Sequence, residues 1–459
     1  MSSEGNSTRP ASQQRPVSQR TEAVAFAFVG SPVPDQPSFH SAAFSRSGQM
    51  YQKELLLGLQ NAGMPPSLIV SFLPTPAFPK VRRLWVPSGK ADLSPGLRIT
   101  LVPFLNLLLL KQIFIGVGAF VHLVRWGWRN RRAKYRVVHS YNLTIPSGLF
   151  TLLAARMIGA KAVVSLCDIN IPGERVPSGW PWRLDYWLQR KLIPRFDGHT
   201  VVSDAIAREF LPGRSCLRLE GGIRKEVFGI PADPPPSTGA LDPVFVISSA
   251  GSLTKTNGIL ILLEAFSLLR GDQYRLCIAG AGPLEPRVRD AAANDPRIAH
   301  LGMISFSEVL QLYARSDVLI NMRLTKDLNT KYFFPSKMME YLASGIPVIS
   351  TCTGHVREEF GDFCYLLEEE TPEALAELIC AVARQSREER RKIGLKAQSY
   401  MLTHKTWQGQ TERLAQYIRE VVLGIKAGAT AGQATLRVET AGAALSGDQS
   451  LSPRRNPDR

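Results

Sequence analysis

A chain of 459 residues, 44% of them hydrophobic, is long enough for two or three domains with sizeable cores, which excludes a chain disordered throughout. The formal charge of +16 is concentrated: between Lys80 and Arg136 twelve basic residues stand against one acid, Asp92. Six scattered cysteines show no CxxC pair and no zinc spacing, which excludes a disulfide scaffold or zinc module and points to a reducing compartment.

Residues 1–20, rich in Ser, Gln, Pro and Arg, contain no apolar signal-peptide core and are expected to be disordered, with the cytoplasm as the expected location. AVAFAFVG at 23–30 reads as a buried first strand, followed by a Pro- and Ser-rich loop up to Ser47 and a helix over 49–59. Open parallel sheets bind ligands at the carboxyl ends of their strands, so Arg46, Ser47 and Gly48 are candidate acceptor-side residues. An ordinary helix start is the competing reading. Strands are expected at 68–73 and 97–104.

The segment 106–132, NLLLLKQIFIGVGAFVHLVRWGWRNRR, is the most apolar of the chain, but Asn106, Lys111, Gln112 and His122 interrupt the roughly 20 apolar residues that a membrane span needs. A helix packed on the sheet or lying in a membrane interface is expected instead. Trp126 and Trp128 beside Arg125, Arg129, Arg131 and Arg132 suit an anionic membrane surface. No nucleic-acid-binding motif accompanies the basic stretch, and no nucleic-acid partner is expected.

A strand at 136–139 places His139 at a carboxyl end, where it reads either as a donor to a sugar or phosphate or as a satisfied structural histidine. Asp168 follows a strand at 162–166 and can bind an acceptor hydroxyl or cap a turn. A strand at 199–203 and a helix through Phe210 precede LEGGI at 219–223. GIPADPPPSTGALDP at 229–243 reads as a linker.

The second half opens with VFVISSAG and a turn into the helix SLTKTNGILILLEAF. IAGAG at 278–282 lacks the third glycine of a dinucleotide fingerprint, because Glu285 stands there, and reads as a strand-to-loop turn. In FFPSKMMEYLASGIPVIS at 333–350, Pro335 suits the first turn of a helix, Gly345 a left-handed cap, and Pro347 bars continuation before the next strand. Ser336 and Glu340 are spaced i, i+4 and so share a face, about 5–6 Å apart. A carboxylate there can accept from a ribose diol while free N–H groups hold phosphate oxygens. The same residues also read as a helix with a Lys337–Glu340 surface pair. Helices are expected at 371–384, 387–402 and 407–423, and disorder beyond 425.

FPSKxxEYLASGxPV with STCTGHVREEF, preceded in order by SAGSLTKTNGILILLEAF, YRLCIAGAGPLEPRV and SDVLINMRL, resembles the donor-binding half of the family 4 glycosyltransferases. The resemblance implies an α/β protein of GT-B fold, two facing Rossmann-like domains with a C-terminal crossover helix. The implied layout is an acceptor-side domain at 21–228, the linker 229–243, a nucleotide-sugar domain at 244–405, a crossover helix at 406–424, and tails at 1–20 and 425–459. The implied reaction is retaining, hexosyltransferase-like transfer from a nucleotide diphosphate sugar to an acceptor hydroxyl, and the basic and apolar surface of the first domain points to a glycan or lipid-linked acceptor, in cell-surface polysaccharide or glycolipid synthesis. Neither metal nor other cofactor is implied, and the enzyme would be cytoplasmic or peripheral on the inner face of the plasma membrane.

The resemblance assigns donor binding to Gly251, Ser252, Asn257, Gly258, Tyr332, Ser336 and Glu340, and catalytic roles to Arg323, Lys337 and His139. The family form places arginine directly after the first glycine of the turn and lysine directly before the second; here these are Ser252 and Asn257. The first of the family's paired glutamates is replaced by Tyr332. Arg323 and Lys337 are the expected substitutes for the cations, and Tyr332 or the loop 329–331 for the glutamate. The rival reading is a catalytically silent relative that binds a nucleotide sugar or a partner.

Overall fold

The computed structural model describes residues 24–41, 44–142, 147–173, 176–228, 244–326 and 330–425, and the backbone of 439–440. The N-terminal tail, the linker and Asn329 lie outside the described residues, as does the C-terminal tail apart from Ile425 and that backbone pair.

Strand β1 (Val24–Val29) alternates large and small residues. Phe26 and Phe28 pack with Leu55 and Leu59 of the helix Arg46–Asn61 and with Leu414 and Tyr417 of the helix Trp407–Tyr417. Ala27 and Val29 pack on the opposite face with Ile115, Ala119 and Leu123 of the helix Leu108–Arg129 and Leu152 of the helix Ser147–Met157. A strand covered on both faces reads as an unbroken apolar run, which is why this one was legible.

The first unit continues with β2 (Pro66–Ser71), β3 (Trp85–Val86), β4 (Gly89–Ser94), β5 (Leu97–Leu101), β6 (Phe104–Leu105), β7 (Tyr135–Tyr141), β8 (Lys161–Leu166), β9 (Gly198–Val201) and β10 (Ser215–Arg218). Its sheet runs β10-β9-β8-β7-β1-β2-β5-β4, parallel except for β4. The single strand expected at 97–104 is two: β5 ends before Pro103, which has no N–H for a ladder, and β6 pairs with β3 in a separate ribbon.

The second unit comprises β11 (Phe245–Ala250), β12 (Tyr274–Ala279), β13 (Ile298–Gly302), β14 (Val318–Asn321), β15 (Val348–Thr351) and β16 (Tyr365–Leu367), all parallel in the order β13-β12-β11-β14-β15-β16. The backbone pair β17 (Glu439–Thr440) lies antiparallel beside β10 in the first sheet. Strand order reverses between β11 and β14 in the second unit and between β1 and β7 in the first, and ligands of such sheets bind outside the carboxyl ends at those reversals.

The chain crosses between the units at two adjacent places. Ile223 N–H donates to the Lys405 carbonyl at 2.8 Å and Trp407 N–H to the Ile223 carbonyl at 3.0 Å. A side chain at Gly222 would put its Cβ 2.7 Å from Trp407 N, so this crossing requires glycine. Beyond it, Tyr417 Oη on the terminal helix donates to the Ser215 carbonyl at 3.1 Å and accepts from His199 N–H at 3.1 Å. The helix expected over 407–423 is α-helical only to Tyr417 and widens to a π turn over Ile418–Val422.

Two buried histidines make the first unit acid-sensitive. His139 is fully buried and its Nε2 meets Ser165 Oγ at 2.7 Å; His199 Nε2 donates to the Ile193 carbonyl at 2.8 Å. Burial holds His139 down to about 3 and His199 down to about 4, whereas both titrate near 6.5 in the unfolded chain. Because the folded values are depressed, their contribution is complete above about pH 6.5 and is lost as pH falls toward the folded values. Between pH 6.5 and 5 each should remove on the order of 1–2 kcal/mol, and a Tm unchanged from pH 7 to pH 5 would contradict their burial as neutral groups.

Candidate active site

At the β11/β14 reversal, β11 ends in a turn built for close backbone approach. Gly258 has φ +65°, and a Cβ there would meet Met322 Cε at 2.7 Å. Gly280, at the end of β12, lies so close to the turn that its Cβ would stand 1.8 Å from the Gly251 carbonyl oxygen. Thr254 Oγ1 accepts from Asn257 N–H at 3.3 Å, and Asn257 Nδ2 donates to the Ser252 carbonyl at 2.7 Å.

Arg323 follows β14 and reaches over this turn. Its Nη1 donates to Asn257 Oδ1 at 2.8 Å, and its guanidinium lies 5.7 Å from the centre of the Phe333 ring. Its backbone is pinned by Thr351 at the end of β15 and by Thr353 beyond it, whose hydroxyls donate to the Arg323 carbonyl at 3.0 and 2.7 Å. Asn257, where the resembling family has lysine, is therefore the residue that orients the arginine.

The helix Ser336–Ala343 is tied to the same strand end. Tyr341 Oη accepts from Ala250 N–H at 2.7 Å and donates to the Ala250 carbonyl at 3.0 Å. Burial keeps this phenol protonated, well above its usual range. Pro335 is the N-cap rather than a member of the first turn and offers no side-chain acceptor, while Ser336 is the exposed first helical residue. Lys337 Nζ is 2.7 Å from Glu340 Oε2 and 3.4 Å from Tyr313 Oη. The i, i+3 pair therefore forms, and Lys337 neutralises Glu340 instead of standing as an independent cation beside Arg323. Both remain about one-third exposed and within reach of a ligand.

Two family models match this chain: Glycosyl transferase 4-like domain over residues 48–214 and Glycosyl transferases group 1 over residues 244–385, together more than half of it. The chain belongs to the family 4 glycosyltransferases. No curated protein sequence matches it. Among solved structures, HepE from Anabaena in complex with UDP and glucose is similar at TM-score 0.59 and 14% identity, covering 86% of this chain and 98% of its own. A glycosyltransferase from Rickettsia africae gives 0.61 and 17%, covering 88% and 99%. A trehalose-6-phosphate synthase studied for glycosyl transfer with retention gives 0.58 and 11%, covering 86% and 99%. At these identities the likeness is one of fold, and the fold is GT-B.

In this glycosyltransferase the two carboxyl edges face each other: Gly221 sits between Tyr51 of the first helix and Met339 of the helix Ser336–Ala343, where its Cβ would lie 3.7 and 3.8 Å from them. Arg46, Ser47 and Gly48 form the first turn of the first helix, which starts earlier than the periodicity indicates because Ser45 caps it, accepting from Gly48 N–H at 3.3 Å. They stand beside the carboxyl end of β7, since a Cβ on Gly48 would be 3.5 Å from Tyr141 Oη. Asp168 takes part in a turn: Asn142, in left-handed conformation, donates to Asp168 Oδ2 at 3.2 Å and accepts from Asp168 N–H at 3.0 Å.

Two candidates are engaged elsewhere. His139 is enclosed against Phe26 and Phe28 and offers no atom to the cleft, so the structural reading replaces the catalytic one. Tyr332, offered as a donor-sugar contact, is buried against Phe210 of the first unit and its hydroxyl donates to Glu209. Burial and the Glu209 carboxylate push this phenol up to about 12, which keeps it a donor. Tyr332 thus fastens the units together rather than lining the sugar site.

The polar centre of the interface was not expected from the sequence. Glu220, 1% exposed, contacts Arg218 Nε at 3.0 Å, His355 Nε2 at 3.2 Å and Lys405 Nζ at 3.1 Å. Glu359 contacts Lys405 at 2.6 Å and Arg218 at 2.9 Å, and Phe334 stacks on His355 at 5.1 Å. Glu220, His355 and Glu359 lie close enough together for a metal, but Lys405 and Arg218 already supply the positive charge there. A carboxylate beside two glycines in LEGGI was the one local signal of this network. A cavity of about 500 Å³ is lined by Val246, Arg275 and Arg297 at the amino ends of the second sheet, the wrong end for donor chemistry.

Proposed function

We propose that this protein transfers a sugar, with retention, from a nucleotide diphosphate sugar to a hydroxyl of a glycan or lipid-linked acceptor in cell-surface polysaccharide or glycolipid synthesis. The observation that carries the reading is Arg323 held over the turn Gly251–Gly258 by Asn257 at 2.8 Å, opposite the open start of the helix that bears Glu340. HepE binds UDP and glucose on the same fold, which supports a nucleotide-sugar donor.

Leaving-group departure puts negative charge on the diphosphate while the sugar ring becomes cationic. A guanidinium fixed in advance stabilises that charge without reorganising, and the backbone N–H groups of Ser336 and Ser252 add donors. Gly258 gives the turn its close approach. Glu340 accepts from the ribose hydroxyls and so positions the bond, and its pairing with Lys337 lowers the cost of holding a carboxylate near diphosphate. The Arg46–Gly48 turn and Asp168 border the acceptor side. The protein works at the cytoplasmic side of a membrane, as a peripheral enzyme, without a metal or other cofactor.

Thermal stabilisation by UDP, GDP, ADP and their sugar conjugates tests this directly. A bound nucleotide at about a hundred times its Kd stabilises by roughly 2.7 kcal/mol, and Glu340→Gln should abolish most of the shift. An undiminished shift in the variant would remove the ribose role. The silent-relative reading draws on Ser252, Asn257 and the diversion of Tyr332; nucleotide binding with no sugar transfer or donor hydrolysis would favour it.

A further inference from the structure

We infer that the outer face of the helix layer on the first unit is a docking surface for an anionic lipid bilayer, which the protein meets in plane rather than spans. The inference deepens the lipid-linked acceptor reading and rests on it for its purpose, but not for its test.

Three helices form that layer, Leu108–Arg129, Ser147–Met157 and Trp180–Leu192, and all contribute to the core on one side of the first sheet. The first of them is apolar on two sides. Its inner stripe, Ile115, Ala119, Leu123 and Trp126, is buried on the sheet. Its outer stripe, Leu110, Ile113, Phe114, Val117 and Val121, is between 39% and 46% exposed. Lys111, whose charge interrupts the apolar run in the sequence, points inward: Nζ donates to the Thr75 carbonyl and lies over the Phe104 ring. The outer stripe is therefore free of charge until Arg125. The third helix repeats the pattern with Trp180, Leu184 and Trp187 at i, i+4 and i+7, exposed by 70%, 45% and 55%. No described helix is long and apolar enough to cross a membrane.

Charge selects the occupant. The three helices carry one acid, Asp185, which accepts from Gln189, and six exposed basic residues, Arg125, Arg129, Arg156, Arg183, Arg190 and Lys191. A two-fold contact with a second copy would set these like charges against one another. Apolar stripes flanked by exposed arginine and tryptophan match instead an acyl boundary beneath anionic headgroups.

Orientation links the surface to the site. The start of the helix Leu108–Arg129 bonds at Thr75, beyond the carboxyl end of β2, and its far end at Ser67, near the amino end, where Trp126 Nε1 donates to Ser67 Oγ at 2.8 Å. The outer stripe thus starts at the edge that opens on the cleft, so a headgroup-borne acceptor can reach it from a docked bilayer.

The test is flotation of the full chain with vesicles of phosphatidylcholine, alone or with phosphatidylglycerol. We expect association with the anionic vesicles, weakened by salt. Ile113→Asp/Val117→Asp/Val121→Asp should reduce it at least tenfold, about 1.4 kcal/mol, and Arg125→Gln/Arg129→Gln/Arg183→Gln/Arg190→Gln should remove the anionic preference. Circular dichroism and the nucleotide-induced thermal shift should be unchanged in both variants, because none of these residues touches the donor site. No association with either vesicle, or equal association by the variants, would overturn the proposal. So would a concentration-dependent dimer of the native chain that the aspartate variant loses, which would assign the face to a second copy. Vesicle association without any nucleotide shift would leave docking standing and sink the transferase reading instead.

Discussion

Glu220→Ala is expected to destabilise the protein by about 3–5 kcal/mol, the usual cost of stripping one partner from a buried ion pair. Glu220 holds three groups: Arg218 at the end of β10, His355 beyond β15, and Lys405 at the crossing between the units. Lys405 is 5% exposed, so removing Glu220 leaves its ammonium with Glu359 alone, out of contact with water. Glu220→Gln keeps the shape and some of the hydrogen bonds and should cost less. Burial by itself would raise the Glu220 pKa, but Lys405, His355 and Arg218 outweigh it and hold the carboxyl below the usual carboxylate range. Its contribution is therefore complete above about pH 4.5 and is lost as pH falls through the depressed folded value. Urea unfolding monitored in both units is the measurement. A loss under about 1 kcal/mol would mean that the network is solvated and that the interface depends on Tyr332 and Phe334 instead.

Arg323→Ala should lower kcat by about 10²–10³-fold, equivalent to roughly 2.7–4 kcal/mol, with a smaller change in donor KM. The split follows from where the charge is: the ground-state diphosphate is already anionic, but the leaving oxygen gains charge only as the bond breaks. Arg323→Lys should rescue little, because the bond to Asn257 and the stacking on Phe333 both use the planar guanidinium. Asn257→Ala leaves the charge in place and removes its positioning contact, so it should reduce kcat less than Arg323→Ala while sparing affinity for the bare nucleotide. Equal loss of binding for nucleoside and nucleotide sugar in Arg323→Ala would identify a folding defect and refute the assignment. Steady-state transfer kinetics together with nucleoside binding separate these outcomes.

Strands, helices and the donor-helix motif could be read from the sequence because their determinants are local. VAFAFV alternates within six residues, Gly345 and Pro347 end a helix within three, and Ser336 and Glu340 share a face by helical spacing alone. Even there, local pattern left alternatives that only packing resolved. Lys337 could face diphosphate or Glu340, and the folded helix pairs it with Glu340 at 2.7 Å. His139 could sit at the cleft or in the core, and Phe26 and Phe28 of β1 close over it. Tyr332 follows the sequence position of a sugar ligand but is drawn to Glu209 of the other unit.

The basic and apolar character of 106–132 was plain in the residues, whereas the direction of Lys111 was not, and that direction decides whether the outer stripe is interrupted. Arg218, Glu220, His355, Glu359 and Lys405 form one buried cluster that no spacing announces. Composition, periodicity and turn chemistry therefore determined the elements of this chain, and its motifs carried the resemblance to its family. The tertiary structure decided which charges lost their water and which partners replaced it, because desolvation and Coulomb attraction depend on distance through space and not along the chain.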